Sequence, residues 1–266
     1  MKSNKKYIGY QTQDMALPYA KFYNESIRPI PELVEKAIKK SIKQGLTLEN
    51  VRDLHNEGYH ELENGYVLNH DGSLHVAVVT PMPKVSPEMW DWWFGWHGSQ
   101  DNRYKLWHPK AHLSAVWADG REDVAYIGRT SNIQEYIGKK LEKAAIQFKN
   151  PIDMGFSAAA IADKSKVVYV CARLGYTDYP IDFGWLVHQI RKTEDGAEMR
   201  SRFWMGGKYI AIRSQNLLGA AASKTLQKLV KLPEQQAKDL MTHCSEEMNH
   251  LAAFLPDLYK EFNENH

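Results

Sequence analysis

The feature that most constrains this chain is a long series of strand-like runs, many of them with apolar residues at every second position. In chain order the runs are Gly65–Asn69, Leu74–Thr80, Leu113–Ala118, Val124–Ser131, Ala144–Phe148, Val167–Leu174, Phe183–Ile190 and Ala197–Met205. Asp71 and Gly72 form a hairpin signal between the first two, and Pro81 and Pro83 are expected to stop the second. The last six runs follow one another without a helical pattern, which predicts an antiparallel sheet.

Helical patterns lie on either side of the strands. One helix is predicted from about Ser86, and Lys208–Lys231 is expected to be helical after Ser214. Pro233 then opens a long helix, and Pro256 breaks or ends it. Its apolar stripe consists of Leu240, Cys244, Met248, Leu251 and Leu255. We therefore predict an α+β fold, in which a curved antiparallel sheet surrounds the long C-terminal helix and leaves a cavity between them.

Residues 1–57 precede the strands and carry two predicted helices. Pro31 opens the first helix and Gly45 ends it, while Thr47 is a suitable N-cap for the second. The apolar stripe of the first helix is Leu33, Val34, Ala37, Ile38 and Ile42. This segment is too small to bury the stripe alone, so we expect it to pack either on the main domain, residues 58–266, or on a second subunit.

The composition excludes several classes of function. With a formal net charge of +2, the 266-residue chain has no basic stripe that would indicate nucleic-acid binding. No window has the apolar length needed to cross a membrane. Two cysteines, Cys171 and Cys244, make no disulfide framework, which predicts a reducing, cytoplasmic location. Eight Trp and fourteen Tyr can line a pocket for a flat organic ligand or simply fill the core.

His112 and Glu135 are candidates for chemistry because each is predicted on or beside an apolar strand. Pro109 disfavours a regular helix through His108 and His112, so we expect one metal ligand from this pair rather than two. Glu135 would share a strand face with two isoleucines, where a carboxylate needs a partner, a proton or a metal ion. The alternatives are a histidine bonded to the backbone and a glutamate left in solvent by a turn.

Further candidates lie on a later strand and on the last helix. His188 shares a strand face with Leu186 and Ile190, where a lone histidine is more often a satisfied core residue than a ligand. On the helix, the spacing of His243, Glu247 and His250 at i, i+4 and i+7 puts all three on roughly one side. Histidines and a carboxylate from distant segments can converge on one divalent metal, and three such ligands plus water are typical of catalytic zinc.

The order of the motifs resembles the diacetylphloroglucinol hydrolase and phloretin hydrolase family. The motifs that carry the resemblance are Trp92–His97, Arg103–Trp107, Pro109, His112, Glu135–Gly138, Arg200–Trp204 and His243–Met248, within a stretch from about Gly58 to Tyr259. This resemblance implies a helix-grip catalytic domain similar to the birch pollen allergen over residues 58–266. It also implies that the N-terminal extension, residues 1–57, helps to form a homodimer.

The resemblance further implies a zinc-dependent hydrolase. Such an enzyme cleaves the carbon–carbon bond between an acyl group and a polyhydroxylated aromatic ring, and releases a carboxylic acid and the deacylated phenol. The residues assigned to zinc are His112, Glu135 and His243, with His188 as a further ligand. The residues assigned to catalysis are His188 and Tyr104. The stretch between His112 and Glu135 is shorter than the family leads us to expect, so substrate choice can differ, and Glu142 remains a rival to Glu135.

Two other functions fit the same pattern. A helix-grip domain can carry hydrophobic ligands without chemistry, because fold does not fix function. A metal-dependent hydrolase could also act on another ester or diketone. Stoichiometric zinc would separate the carrier from both hydrolases, and a small aromatic acylphenol is the substrate that the resemblance favours.

Overall fold

An antiparallel sheet of nine strands forms the framework of the described part of the chain. The structure, a computed structural model, describes residues 9–122, 125–214 and 216–263. Its strands are β1 (Gly65–Leu68), β2 (Leu74–Pro83), β3 (His112–Trp117), β4 (Thr130–Ile137), β5 (Lys140–Lys149), β6 (Val167–Tyr176), β7 (Ile181–Lys192), β8 (Gly196–Met205) and β9 (Ala211–Ile212). They pair in the order β1-β2-β8-β7-β6-β5-β4-β3, with β9 joined to β7. Every strand pair in the sheet is antiparallel, as predicted.

Seven α-helices accompany the sheet in the described part of the chain. They are α1 (Glu32–Ala37), α2 (Pro87–Trp96), α3 (Asp101–Trp107), α4 (Ala158–Ile161), α5 (Leu217–Leu229), α6 (Glu234–Ala252) and α7 (Leu255–Phe262). Short 3₁₀ segments are Thr12–Ala16, Ala20–Phe22, Leu48–His55, His97–Ser99, Pro151–Met154 and Gly207–Tyr209. Within the described ranges, none of these helices combines the length and the apolar character that a membrane crossing requires.

The sheet curls around α6. This helix contacts β1 and β2, at one end of the strand order, and also β4, near the other end. One helix can reach both ends only if the sheet bends around it. The apolar stripe predicted for this helix is buried in the main core together with the inward-facing residues of the strands. The predicted α+β helix-grip arrangement is therefore confirmed.

Two predicted strand boundaries differ from the structure, at the end of β2 and at the start of β4. β2 continues to Pro83, because β1 pairs only with Leu74–Ala77, so Pro81 and Pro83 lie where β2 has no strand neighbour on that side. The predicted strand Val124–Ser131 is wrong: residues 125–129 form a turn, with Gly128 at φ +83°, and β4 begins only at Thr130. The first residue of that prediction, Val124, lies outside the described residues.

The N-terminal segment packs on the chain's own domain over much of its length. Only six residues of the first predicted helix form α1, in which Val34 is buried in the main core and Leu33 is exposed. The second predicted helix is a 3₁₀ segment, and its Val51 and Leu54 pack on the outer face of the sheet. The side chain of Gln189 donates a hydrogen bond to the carbonyl of Leu54 at 2.7 Å. The role of residues 1–57 in dimerisation stays a prediction.

Candidate metal centre

The sheet and α6 bring four polar side chains to one point. His112 is the first residue of β3, and it lies directly opposite Glu135 in the register of β3 and β4. His243 and Glu247 are one turn apart on α6, and both are buried. Because α6 crosses the inner face of the sheet, its polar turn meets the pair on the strands inside the molecule.

The distances between these side chains are those of a metal site. Oε2 of Glu135 lies 3.3 Å from Nε2 of His112 and 3.4 Å from Nε2 of His243. Oε2 of Glu247 lies 3.4 Å and 3.7 Å from the same two nitrogens. One ligand atom each from His112, His243 and Glu247 lies within 4.8 Å of the other two. Two nitrogens and two carboxylate oxygens thus face a common centre.

The hydrogen bonding of His112 tests whether a metal fits. Its Nδ1 lies 3.0 Å from the carbonyl oxygen of Tyr104, and since a carbonyl only accepts, Nδ1 carries the proton. Nε2 then faces the carboxylates of Glu135 and Glu247, and it offers a lone pair to a metal ion once its own proton is lost. This buried nitrogen has no hydrogen-bond partner in the described residues. A divalent cation satisfies all of these atoms, and the donor set of imidazole nitrogens and carboxylate oxygens suits zinc.

The pKa shifts of the side chains in the cluster also indicate that the site favours a positive charge. Burial alone would lower the pKa of His112, but the carboxylates of Glu135 and Glu247 close to its Nε2 raise it to about 9. Burial works against the ionised form of Glu135, yet the neighbouring His243 and His112 bring its pKa well below the usual value. Burial raises the pKa of Glu247. In the absence of a metal, the cluster is therefore stabilised by a proton that a metal ion would replace.

Tyr104 supports the cluster from α3. Its hydroxyl donates a hydrogen bond of 2.5 Å to Oε2 of Glu135, and its ring stacks on the ring of His112 with centroids 3.8 Å apart. Burial and the charge of Glu135 raise the pKa of Tyr104 well above 10, so the hydroxyl keeps its proton near neutral pH. Tyr104, proposed from the sequence as catalytic, thus lies against two of the residues that could hold the metal.

His188 lies in the cavity wall and outside the cluster of ligand atoms. Its Nδ1 is 2.7 Å from Oγ of Ser201 on the neighbouring strand, and its ring stacks on Phe94. No hydrogen bond to Nε2 is present among the described residues. Burial lowers the pKa of His188 to about 3, so the ring is neutral at pH 7. The structure does not bring His188 to the other proposed ligands, and its part in metal binding stays a prediction.

A cavity adjoins the cluster between α6 and the inner face of the sheet. The volume in which the centre of a water molecule can lie is about 130 Å³. This is close to the roughly 150 Å³ of an apolar cavity that holds one benzene ring. His188, Tyr104, Glu135, His243 and Glu247 all line it. The rest of the wall is mainly apolar and aromatic, and it includes Phe94, Trp107, Ile133, Ile146, Phe148, Leu174, Phe183, Leu186, Phe203, Met205 and Leu240.

The structure distinguishes between the residues that the sequence left as alternative metal ligands. Nε2 of His108 lies 3.2 Å from Oε2 of Glu246 and does not face the cluster. The ring of His108 stacks on the ring of His243. Glu142 pairs with Lys140 at 2.8 Å, although it also borders the cavity. Glu247 is the residue that the sequence did not assign to the metal. Its spacing of four residues from His243 was the available signal, but this pair is common on helices by chance.

The family model and the relatives found by sequence agree with each other. A family model described as "DAPG hydrolase PhiG domain" matches residues 46–260. A 2,4-diacetylphloroglucinol hydrolase from Pseudomonas protegens is 28% identical over 270 residues, which cover 92% of this chain and 84% of the relative. A phloretin hydrolase from Eubacterium ramulus is 29% identical over 272 residues, which cover 96% of this chain and 93% of the relative.

Two solved structures that match this chain have a much lower sequence identity. Ara h 8.0201 has a TM-score of 0.43 at 10% identity and covers 70% of this chain and 99% of its own. Protein Ms6760 from Mycobacterium smegmatis has a TM-score of 0.37 at 10% identity and covers 73% of this chain and 98% of its own. The family model spans most of the chain and includes every residue of the metal cluster, so the chain belongs to the DAPG hydrolase family.

Proposed function

We propose that this chain is a zinc-dependent hydrolase that cleaves the carbon–carbon bond between an acyl group and a polyhydroxylated aromatic ring. Membership of the family makes the chain a hydrolase, and the named relatives act on diacetylphloroglucinol and phloretin. The observation that carries the proposal is the convergence of His112, His243 and Glu247, with Glu135 beside them, at the edge of an aromatic cavity.

His112, His243, Glu135 and Glu247 would hold the zinc ion. Zinc bound there would polarise the acyl carbonyl and lower the pKa of a water molecule. The chain's own groups prepare the ligands: the carbonyl of Tyr104 fixes the tautomer of His112, and the hydroxyl of Tyr104 orients the carboxylate of Glu135. Burial keeps bulk water from competing for these charge interactions.

The cavity suits a phenol ring beside this centre. Hydrolysis consumes one water molecule, leaves the bonding electron pair on a ring carbon and places a proton there. The ring can accept that pair when hydroxyls ortho and para to the acyl group spread the charge onto oxygen. The apolar walls bind the ring and exclude water, and the few polar groups in the wall can contact its oxygens.

His188 is placed to hold a ring oxygen during this rearrangement. It lines the cavity, Ser201 fixes its Nδ1, and its Nε2 remains for the substrate. The ring is neutral at pH 7, because burial lowers its pKa to about 3. A neutral ring can hold a keto oxygen of the substrate when the Ser201 hydroxyl donates to Nδ1 and Nε2 carries the proton, and this role fits the low pKa better than that of an imidazolium acid. Tyr104, whose hydroxyl keeps its proton, is the second group that can take part in proton transfer.

Metal analysis and a substrate screen test the proposal together. Purified protein is expected to contain one zinc ion per subunit, and liquid chromatography should show equal amounts of carboxylic acid and deacylated phenol from an acylphenol. A different resident metal would contradict the zinc part of the proposal. A zinc-loaded protein that hydrolyses esters or other diketones, but no acylphenol, would contradict the substrate class.

The cellular compartment and the oligomeric state of the protein are also proposals. Both cysteines, Cys171 and Cys244, are free and buried, which supports a reducing compartment such as the cytoplasm. A homodimer remains the proposed assembly, with the N-terminal segment contributing to its interface.

A further inference from the structure

His97 follows α2 and contributes an uncommitted acceptor to the cavity wall. Its ring is buried, and Nδ1 lies 2.8 Å from the carbonyl oxygen of Trp93. A carbonyl oxygen can only accept a hydrogen bond, so Nδ1 carries the proton. Burial lowers the pKa of His97 to about 4, which leaves the ring with a single proton at neutral pH. Nε2 therefore presents a lone pair.

The packing around His97 fixes the direction of that lone pair. The ring stacks on Trp93 at a centroid distance of 5.2 Å and on Tyr104 at 5.7 Å. Phe94 and Trp107 meet it edge to face. With Nδ1 bonded and both faces covered, the ring cannot turn without losing these contacts. Its orientation is therefore set by the fold and not by a ligand.

Several other polar groups in the cavity wall are already engaged or cannot act as acceptors. Nε1–H of Trp107 has no partner among the described residues but can only donate, and Nε2 of His188 is another imidazole nitrogen without a partner there. The hydroxyl of Tyr104 donates to Glu135, and Nδ1 of His188 is bonded to Ser201. His97 lines the same cavity, and no hydrogen bond to its Nε2 is present among the residues that the structure describes. The hydroxyl of Ser131 also lacks a partner, but a hydroxyl can donate or accept and so selects for neither.

We propose that Nε2 of His97 accepts a hydrogen bond from a hydroxyl group of the substrate's aromatic ring, and so selects free phenols over their methyl ethers. A phenol hydroxyl supplies the proton that this lone pair needs. A methyl ether has no such proton, and its oxygen would face the nitrogen with two sets of lone pairs. This inference rests on the proposed function, because it names the part of the substrate that the same site recognises.

Two substitutions separate this role from the structural role of the ring. In His97→Asn, the side-chain amide can still donate to the Trp93 carbonyl, but it ends short of the position of Nε2. In His97→Gln, the amide oxygen reaches that position and can act as the acceptor. The ligands are 1,3,5-trihydroxybenzene and 1,3,5-trimethoxybenzene, which have no acyl group and therefore cannot be hydrolysed. Binding to the full-length, zinc-loaded protein is measured by titration calorimetry.

The expected result is a loss of affinity for one ligand only. His97→Asn should weaken binding of the trihydroxy ring about two- to thirteenfold, the range for one neutral hydrogen bond, and leave binding of the trimethoxy ring unchanged. His97→Gln should restore most of the loss. If His97→Asn does not fold, His97→Phe and His97→Gln make the comparison, with Phe expected to bind the trihydroxy ring more weakly.

Three outcomes would overturn the inference: unchanged binding of the trihydroxy ring to His97→Asn, an equal loss for both ligands, or no binding of the trihydroxy ring to the parent protein at millimolar concentration. Hydrolysis of acylphenols is measured separately on the parent protein. A parent that binds the ring through His97 but cleaves no acylphenol would refute the proposed function and leave this inference standing. If the parent cleaves acylphenols and His97→Asn binds the trihydroxy ring as well as the parent does, the proposed function stands and this inference is refuted.

Discussion

At the scale of single residues, the metal centre depends on the direction in which each of its side chains points. The placement of His112 and Glu135 opposite each other depends on the register of two strands. Glu247 shares a helix face with His243, but the sequence does not show that this face meets β3 and β4. A carboxylate that is buried is the physical clue to such a site, and the burial of Glu247 becomes visible only in the folded chain.

Glu247→Gln is predicted to weaken zinc binding by about a hundredfold or more, because it removes a charged oxygen that faces both histidines at the centre. Zinc affinity is measured by competition with a chelator of known strength. The matched control is Glu246→Gln, which alters the neighbouring carboxylate that contacts His108. This control should keep zinc affinity within about threefold of the parent. Equal affinities for the two variants would remove Glu247 from the metal site.

His188→Gln is predicted to lower turnover by about a hundredfold while zinc remains bound, because the ring contacts the cavity and not the cluster. Turnover of an acylphenol and the zinc content of the same preparation are the two measurements. Parent-like turnover would make His188 a structural residue of the core. Loss of zinc would instead favour the role as an additional ligand that the family resemblance implied.

At the scale of helices and strands, alternation and length predicted most elements, and the failures have local causes. Tyr126 is buried against Phe94 and Phe148 from a turn, so an apolar residue in the predicted strand Val124–Ser131 is buried without strand pairing. The beginning of β5, from Lys140 to Lys143, is rich in charge and largely exposed, so it shows no alternation. Tertiary packing overrode the pattern in the first case, and solvent exposure hid it in the second.

Glu63→Gln is predicted to destabilise the fold by about 3 kcal/mol at pH 7. The carboxylate accepts hydrogen bonds from Arg200 and Arg202, which both leave β8 on its outer face and are almost completely buried. Burial alone would raise the pKa of Glu63, but the two guanidinium groups lower it from 4.5 to about 2. A shift of this size corresponds to about 3 kcal/mol, and removing one partner of a buried ion pair costs a similar amount.

The pH dependence of this effect has a definite sign. Because the folded-state pKa is lowered, the stabilisation by Glu63 is fully present above about pH 4.5 and is lost as the pH falls toward 2. The difference between parent and Glu63→Gln should therefore shrink in acid. Denaturant unfolding at pH 7 and at pH 3 measures it, with Glu61→Gln, an exposed neighbour, as the control. A difference that does not change with pH would show that the ion pair is not the cause.

At the scale of the whole molecule, the order of elements was predictable and the assembly of the site was not. A series of strands followed by one long helix leaves few ways to bury both, so the sheet around α6 follows from the pattern. The metal centre, however, combines β3, β4 and α6, and α3 supports it with Tyr104. Its geometry depends on how far the sheet curls, which alternation along a single strand does not encode.

The homodimer is the prediction that belongs to the whole molecule, and the packing of α1 refines its test. Val34 is buried in the chain's own core, whereas Leu33 is 70% exposed and available to a second subunit. Removing residues 1–57 would also remove core contacts, so a single substitution is the cleaner change. We expect light scattering at micromolar concentration to give twice the chain mass of 30.6 kDa, and Leu33→Glu to shift the protein toward the monomer.

The matched control for the dimer is Leu217→Glu on α5, where another leucine is 90% exposed. If the N-terminal segment forms the interface, this variant should remain dimeric, since a charge costs little at a surface that meets only water. Dissociation by Leu217→Glu and not by Leu33→Glu would move the interface to α5. A parent protein that is monomeric at micromolar concentration would exclude the homodimer, without bearing on the metal centre, because every residue of the cluster comes from one chain.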